Sequence, residues 1–581
     1  MSHATDENGC HAPRMLVSRL ESVSPRGSLA SGLEPELARG GLPQKLVSLG
    51  VMIDGRAQEG WVIEAIRQAM EVPGVQLGSL AIVALETRMG LAARLHRLVD
   101  RLDKGLRCEK DKLFASVDVV AALGNPPTLM VKVDCEGDRW QLGSSGVEAL
   151  REARADVWLW LCASAPDSPL PYISRMGVWG LEIGARVPAG SAWSGAPEVS
   201  SRADLTFAQV VDYTQPGCNV VYQACGATIK NSARRNRLVA LRKGVSFFGR
   251  LLRSMSPGAP VRTPPQAAEP VLSAVATTRP TLSAVVRLSW RLAAEVLFNR
   301  WIALGWREQW RIGYYFADEE ADAVCTSPKL QTLVPPKDRD WADPFIVCHA
   351  GRNFIFFEEL PYGAGRAHIS AIEIFPDGRS GPPTVVLQRP YHLSYPFVFA
   401  WKGDLYMLPE TAGNHTVELY RCEQFPHRWT LDRVLLDGIR AFDATLHREG
   451  QHWWMFVSVA EPGADPSEEM HVFWSDSPLG PWQPHAANPV VSDARHARGA
   501  GPLFRRDGVL YRPSQDCSAS YGSAVSINRV DVLDPENYQE TPVGRIDPDS
   551  KAGMRCLHTI GAVERLRVLD FRVRRPAWSN S

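Results

Sequence analysis

Two aspartates, a tyrosine and a histidine recur at one phase of a repeated pattern in the second half of this chain. Carboxyl groups and an imidazole gathered at one point can move protons or grip hydroxyl groups. Asp343 opens the first copy, in which an apolar run turns at Gly351 into Phe354-Ile355-Phe356-Phe357 and ends on Glu358-Glu359. Tyr395 opens the second, which turns at Gly403 and ends on Pro409-Glu410. Asp443 opens the third, with its turn at Gly450, and Ala500 the fourth, with its turn at Gly508. His558 opens a degenerate fifth that closes on Leu569-Asp570-Phe571. Taken singly, each opener reads as a turn residue, since Asp-Pro commonly starts a bend. Recurrence in phase reads as a site. A carboxylate beside buried backbone is costly unless it is paired or serves a ligand.

The elements that must position these residues are strand pairs, each a short apolar strand, a glycine turn and a second strand. Copies spaced about 45–60 residues apart match one propeller blade and are too long for a solenoid turn. In a propeller the innermost strands begin beside the central channel, so the openers Asp343, Tyr395, Asp443, Ala500 and His558 are expected to converge there. Glu358 and Glu359 are adjacent, so only one of them can face the core from a strand. Gln515 and Asp516 lie late in the fourth copy and Tyr521 beyond it; each could bond sugar hydroxyls or satisfy backbone between blades. Arg498, just before that copy, could neutralise the hub carboxylates or hold a phosphate or an acidic sugar.

Composition frames this reading without deciding it. The 581 residues are 45% hydrophobic and 22% charged, enough for two or three domains with real cores. Lys plus Arg equals Asp plus Glu at 64 each, which excludes a strong nucleic-acid field. Eleven cysteines are scattered singly with no metal-ligand spacing, so no metal is expected, and reduced thiols point to the cytoplasm. No signal peptide is visible, and the apolar stretch 284–304 carries Arg287, Arg291, Glu295 and Arg300, which makes it an amphipathic helix and not a span. The 18 tryptophans, many in the repeat, either pack between blades or form platforms for sugar rings.

Before the repeat, residues 1–44 are Ser-, Gly- and Pro-rich and read as a disordered tail. From 45 to 255 the pattern is strand, helix, strand, helix: strands at 46–54, 80–85 and 156–161, and helices at 61–70, 91–106 and 147–154. That alternation predicts an open parallel sheet. The second helix is expected to bury Leu91, Leu95, Leu98 and Leu102. The first strand–helix turn, 53–57, has one glycine and no dinucleotide fingerprint, so no cofactor is expected. The basic run 230–253 reads as a helix face packed by its apolar side, with peripheral contact to an anionic membrane as the alternative. Residues 256–283 are Pro-rich and form a linker. From 284 onward a leading helix and a closing strand at 306–316 introduce the propeller.

The α/β domain resembles the folate-dependent formyltransferases, on Met176-Gly177-Val178-Trp179-Gly180-Leu181-Glu182. That family has Asn and His where this chain has Gly180 and Glu182, and its later D-x-G aligns with Gln215-Pro216-Gly217. With all of the family's catalytic Asn, His and Asp replaced, the domain is expected to serve as scaffold or binding surface; one-carbon transfer to an amino sugar is the active alternative. The repeat region resembles the five-bladed propeller of the glucosamine inositolphosphorylceramide transferases, on Asp340-Trp341-Ala342-Asp343-Pro344-Phe345, on 391–399, on Leu408-Pro409-Glu410-Thr411 and on Tyr511-Arg512-Pro513-Ser514-Gln515-Asp516. It is more distantly similar to glycoside hydrolase family 43. That resemblance implies Asp343 as general base, Asp443 as modulator of the acid and His558 as the hub histidine. The general acid falls on Ala500, and Glu410, which ends the second copy, would substitute for it if it turns inward.

The expectation is thus a multidomain chain, an α/β open parallel sheet followed by an all-β five-bladed propeller. The propeller handles a carbohydrate or sugar phosphate in glycan or glycolipid assembly through Asp343, Glu410, Asp443, Arg498, His558, Tyr395, Gln515 and Asp516. Hydrolysis by Asp343 and Glu410 is the enzymatic alternative. Oligomeric state is not readable from the sequence.

Overall fold

The computed structural model describes residues 46–83, 90–107, 111–136, 139–166, 169–184, 186–215, 219–255, 280–318, 329–460 and 464–576. The tail expected at 1–44, most of the linker expected at 256–283 and the pair Pro216-Gly217 lie outside them. The chain divides into two compact units, one within 22–301 and one made chiefly of 302–581.

The first unit is built on the sheet that the apolar runs demand. Strands Thr128–Val131, Val75–Val83, Val47–Ile53, Val157–Trp160 and Val178–Ile183 lie side by side and parallel. Val51, Met52 and Ile53 are buried, as strands covered on both faces require. Gly50 is needed where it stands, because a Cβ there would meet the Trp158 ring at 2.4 Å. Beyond Val178–Ile183 the sheet continues antiparallel through Leu205–Asp212 and Asn219–Ala227, an edge hairpin that the strand–helix alternation did not announce.

Helix Leu91–Arg107 is turned differently from its leucine pattern. Leu91, Leu98 and Leu102 are exposed, while His96 and Asp103 are buried. The reason is polar: Asp103 accepts from Ser232 Oγ at 2.8 Å and the Arg234 amide at 3.1 Å, and His96 packs edge-on to Trp193. The basic run forms two helices, Ala233–Gly244 and Phe247–Ser254. Several of its cations are paired within the unit: Arg237 with Glu59 at 2.5 Å, Arg234 with Asp100 at 3.1 Å, and Arg242 with Asp111. The helix expected to lead into the propeller starts earlier, at Leu282, and buries Val285 and Leu288 against Val187, Trp193 and Val199 of the α/β unit. No helix among the described residues is long and apolar enough to cross a membrane.

The second unit is a five-bladed propeller. Four blades are consecutive four-stranded antiparallel sheets, Arg339–His349 to Thr384–Leu387, Ser394–Trp401 to Arg428–Asp437, Ala441–Glu449 to Gln483–Pro484, and Phe504–Arg506 to Tyr538–Ile546. The fifth combines both ends of the unit: strand Trp306–Phe316 pairs along its whole length with Leu566–Pro576. That pairing closes the ring of blades and leaves only the short outer edge of each blade. Aromatic contacts tie neighbouring blades, as where Phe345 meets Tyr395 edge-to-face at 4.7 Å. Trp341, Trp429, Trp453 and Trp454 are buried and pack between or within blades.

Candidate functional site

The three openers Asp343, Tyr395 and Asp443 share one unusual backbone state, with φ of 49°, 46° and 55°. At each, the innermost strand skips register against its neighbour: between Ala342 and Phe345, between Ser394 and Phe397, and between Phe442 and Thr445. These are β-bulges. A bulge bends the strand and re-aims one side chain, and a left-handed conformation at a non-glycine residue costs on the order of 1 kcal/mol or more. Its repetition in three blades is what turns the openers toward the axis. The sequence showed the residues but not the bulges.

Asp343, Glu410, Asp443, Arg498 and His558 are all buried, and hydrogen bonds link them into two connected groups. In the first, His558 Nδ1 lies 2.6 Å from Asp570 Oδ2 and 3.9 Å from Asp343 Oδ1. Thr559 Oγ1 donates to Asp343 Oδ1 at 2.7 Å, and the Asp343 amide donates to Asp570 Oδ2 at 2.9 Å. In the second, Arg498 Nε donates to Asp443 Oδ2 at 2.5 Å, and its Nη2 lies 3.6 Å from Glu410 Oε2. Gln515 Nε2 reaches both Asp443 at 3.3 Å and the Gly499 carbonyl at 2.9 Å, so it positions Asp443.

Electrostatics divide the acids by role. Burial pushes the Asp343 carboxyl up to about 7; His558 opposes that shift, while Asp443, Glu358 and Asp570 add to it. Burial and the neighbouring Asp443 charge push Glu410 up to about 8, against Arg498 and His392. Glu410 therefore keeps its proton at neutral pH and hydrogen-bonds Asp443. Burial alone would lower His558, yet Asp570 and Asp343 outweigh it and hold the imidazole protonated above its usual range. The hub thus offers a proton donor, a carboxyl poised near neutrality, and two cations.

Other expected site residues have different work. Tyr395 Oη contacts Thr445 Oγ1 at 2.9 Å and accepts from the Gly501 amide at 2.8 Å, pinning blades two, three and four together. Asp516 accepts from the Ser518 amide at 2.9 Å and pairs with Arg545, which commits it to blade four. Ala500 is fully buried among Val525, Leu557 and Ile560, so the position of the hydrolytic acid points into packed core.

Two acids and a histidine escaped the sequence reading as site residues. Glu358 stands opposite Ala342 as Glu410 stands opposite Ser394, and it pairs with His392 at 3.2 Å. Glu359 faces the other way, toward Arg339, His368 and Ser370. Asp570 sits in the middle of strand Leu566–Pro576, the second strand of its own copy. The signal was available: four strand residues and then an acid, in Phe354–Glu358, Tyr406–Glu410 and Leu566–Asp570 alike. Trp310 was legible only as a strand residue, yet its ring stacks on His558 at 4.0 Å. Asp343, His558 and Asp570 also bring ligand atoms within 4.8 Å of one another, a set that could hold a cation.

In the α/β unit, Glu182 is buried and accepts from Tyr213 Oη at 3.0 Å and Gln209 Nε2 at 3.1 Å. Burial raises its pKa against both hydrogen bonds. A Cβ at Gly180 would lie 2.2 Å from the Tyr213 ring, so Tyr213 fills the space an asparagine would need. Gly180→Asn is expected to lower stability by about 1–3 kcal/mol through overpacking. Thermal unfolding measures this, and a wild-type melt for the variant would contradict this packing.

Fold and hub together define a five-bladed propeller with a buried acid–base cluster at its axis. Residues 321–561 match the family model described as glucosamine inositolphosphorylceramide transferase 1, N-terminal. Over 216 residues the chain is 36% identical to the glucosamine inositolphosphorylceramide transferase 1 of Oryza sativa subsp. japonica, covering 36% of this chain and 29% of the rice protein. The Arabidopsis thaliana protein of the same name is 34% identical over 205 residues, covering 35% of this chain and 27% of its own length. The chain therefore spans less than a third of the curated relatives it matches. Among solved structures, a family 117 glycoside hydrolase from Zobellia galactanivorans is 11% identical, with 45% of this chain and 90% of that one covered and a TM-score of 0.31. A family 62 α-L-arabinofuranosidase catalytic domain from Coprinopsis cinerea is 12% identical, with 45% and 97% covered and a TM-score of 0.31.

Proposed function

We propose that the propeller hub binds the hydroxyl groups of a sugar or cyclitol headgroup and presents it for glycolipid or glycan assembly. The observation that carries this reading is that the hub gathers two buried carboxyls, Asp343 and Glu410, whose pKa values burial raises toward neutrality, so that each can donate or accept. Sugar hydroxyls need both kinds of partner at once. Trp310, stacked on His558, supplies an aromatic surface of the kind that carries sugar rings. The match of 321–561 to a transferase family whose members are named for inositolphosphorylceramide supports a headgroup of this type. The α/β unit then acts as scaffold or binding surface.

Titration calorimetry with glucosamine, glucose and myo-inositol tests this. Asp343→Asn tolerates the left-handed backbone and is expected to weaken binding at least about tenfold by removing one charge-assisted bond. Absence of binding by all three probes to the wild-type chain would overturn the reading.

Glycoside hydrolysis is the second reading, and it has its own support. Glu410, held up to about 8, has the protonation state a general acid requires. Asp343-dependent release of p-nitrophenol from aryl glycosides, abolished in Glu410→Gln, would replace binding with catalysis.

A further inference from the structure

Blade five carries an arginine cluster that the hub does not use. Arg572 and Arg574 project from one face of strand Leu566–Pro576, and the register Trp310↔Arg572 and Glu308↔Arg574 places Glu308 and Trp310 on that same face. Arg572 Nη1 lies 3.2 Å from Glu308 Oε2, and Arg574 Nη2 lies 3.0 Å from Glu308 Oε1. Arg555, from strand Met554–Cys556, brings its Nε to 3.7 Å from the same carboxylate. Three guanidinium groups share one acid. Among the described residues no second carboxylate forms an ion pair with any of them. The nearby Asp340 is bonded instead by the Trp310 amide and Tyr362 Oη.

Such a cluster is expensive as pure structure. Like charges held together repel, and the buried Nε groups of Arg572 and Arg574 have no hydrogen-bond partner. Three guanidinium groups on one paired carboxylate leave an excess of positive charge, lessened by Asp340, whose charge Arg572 also feels, and of the sign that a phosphomonoester would neutralise. The guanidinium fork suits phosphate oxygens in a way that an ammonium does not. The cluster is open, with 47% of the Arg555 side chain and 31% of the Glu308 side chain exposed. It also adjoins the hub: the Arg572 guanidinium stands 5.5 Å from the Trp310 ring centroid, and Trp310 stacks on His558.

We propose that Arg555, Arg572 and Arg574 form an anion subsite beside the hub that takes the phosphate of a phosphorylated sugar or cyclitol. Its pairing with the hub rests on the sugar-binding reading above; the subsite itself rests on the arginines. Glu308 holds the three cations in place and competes with the ligand for them. A soluble sugar phosphate and a phosphoinositol lipid headgroup present the same chemistry to this surface.

Calorimetry on the full chain with inorganic phosphate, myo-inositol and myo-inositol 1-phosphate tests the subsite. Arg555→Gln, Arg574→Gln together are expected to weaken phosphate binding tenfold or more, about one charge-assisted bond or better lost. Glu308→Gln is expected to tighten it roughly threefold or more by removing the competitor. That gain is one which damage to the fold cannot produce. Asp343→Asn should leave inorganic phosphate binding unchanged. No phosphate binding to the wild type, or affinity indifferent to both the arginines and Glu308, overturns the subsite. Binding of myo-inositol through Asp343 without phosphate binding would overturn the subsite alone. Phosphate binding that follows the arginines, with no Asp343-dependent binding of myo-inositol, would overturn the hub reading alone. Co-sedimentation with phosphatidylcholine vesicles containing phosphatidylinositol, lost in the double arginine variant, assigns the headgroup to a lipid; binding of inositol phosphate without co-sedimentation assigns it to a soluble sugar phosphate.

Discussion

Arg498→Met is expected to destabilise the propeller by about 3–5 kcal/mol, the usual consequence of leaving a buried charge without its partner. Arg498 is 7% exposed, donates to Asp443 at 2.5 Å and lies 3.6 Å from Glu410, with its guanidinium 5.0 Å from the Tyr521 ring centroid. A methionine fills most of the volume but brings no charge, so two adjacent carboxyl groups would face each other across an apolar gap. Adding Asp443→Asn to that variant removes the charge left behind and should restore a substantial part of the loss. Denaturant unfolding followed through the blade tryptophans measures both. A single-variant loss under about 1 kcal/mol, or no recovery in the double variant, would mean that Arg498 does not neutralise the hub.

The second large effect is on the pH dependence of stability. Asp343 and Glu410 have folded-state pKa values of about 7 and about 8, well above the ordinary carboxyl range near 4. In the window from about pH 4 to about pH 8 the unfolded chain has released these protons while the folded chain still holds them. Stability tied to the two groups is fully present below pH 4 and is lost as pH rises through 7 and 8. His558, also raised, contributes in the same direction. Glu410→Gln keeps the shape and removes the titration. It should flatten the decline between pH 5 and pH 8 and leave the variant more stable than wild type at pH 8, by on the order of a few kcal/mol. Superimposable stability profiles for wild type and Glu410→Gln would show that Glu410 is ionised in the folded protein.

Several elements could be read before any coordinates. The strand pairs of the repeat occupy the expected stretches, and the strand at 306–316 closes the ring because its alternation is that of a strand even though it lies far from its partner in the chain. The phase of the repeat singles out Asp343, Asp443 and His558, and the end of the second copy singles out Glu410. Glu358 and Asp570 follow four strand residues just as Glu410 does, but an acid inside a strand reads equally well as a solvent-facing residue, so its type alone does not mark it. The rotation of helix Leu91–Arg107 went against its leucine periodicity because Asp103 has a specific task with Ser232 and Arg234, and one buried hydrogen-bonded carboxylate outweighs a preference of a few exposed leucines.

What the sequence by itself determined is the number of blades and the alternating faces of their strands, because strand periodicity and turn chemistry are local. Which acid keeps a proton, which side chain pins the blades and which arginines share one glutamate was decided only by tertiary structure. Those properties depend on burial and on the distance between charges far apart in the chain: Asp343 answers to His558 and Asp570, and Glu308 to Arg555, Arg572 and Arg574. Coulomb energies and desolvation are set by distances of a few ångströms, and no local pattern of residues encodes those.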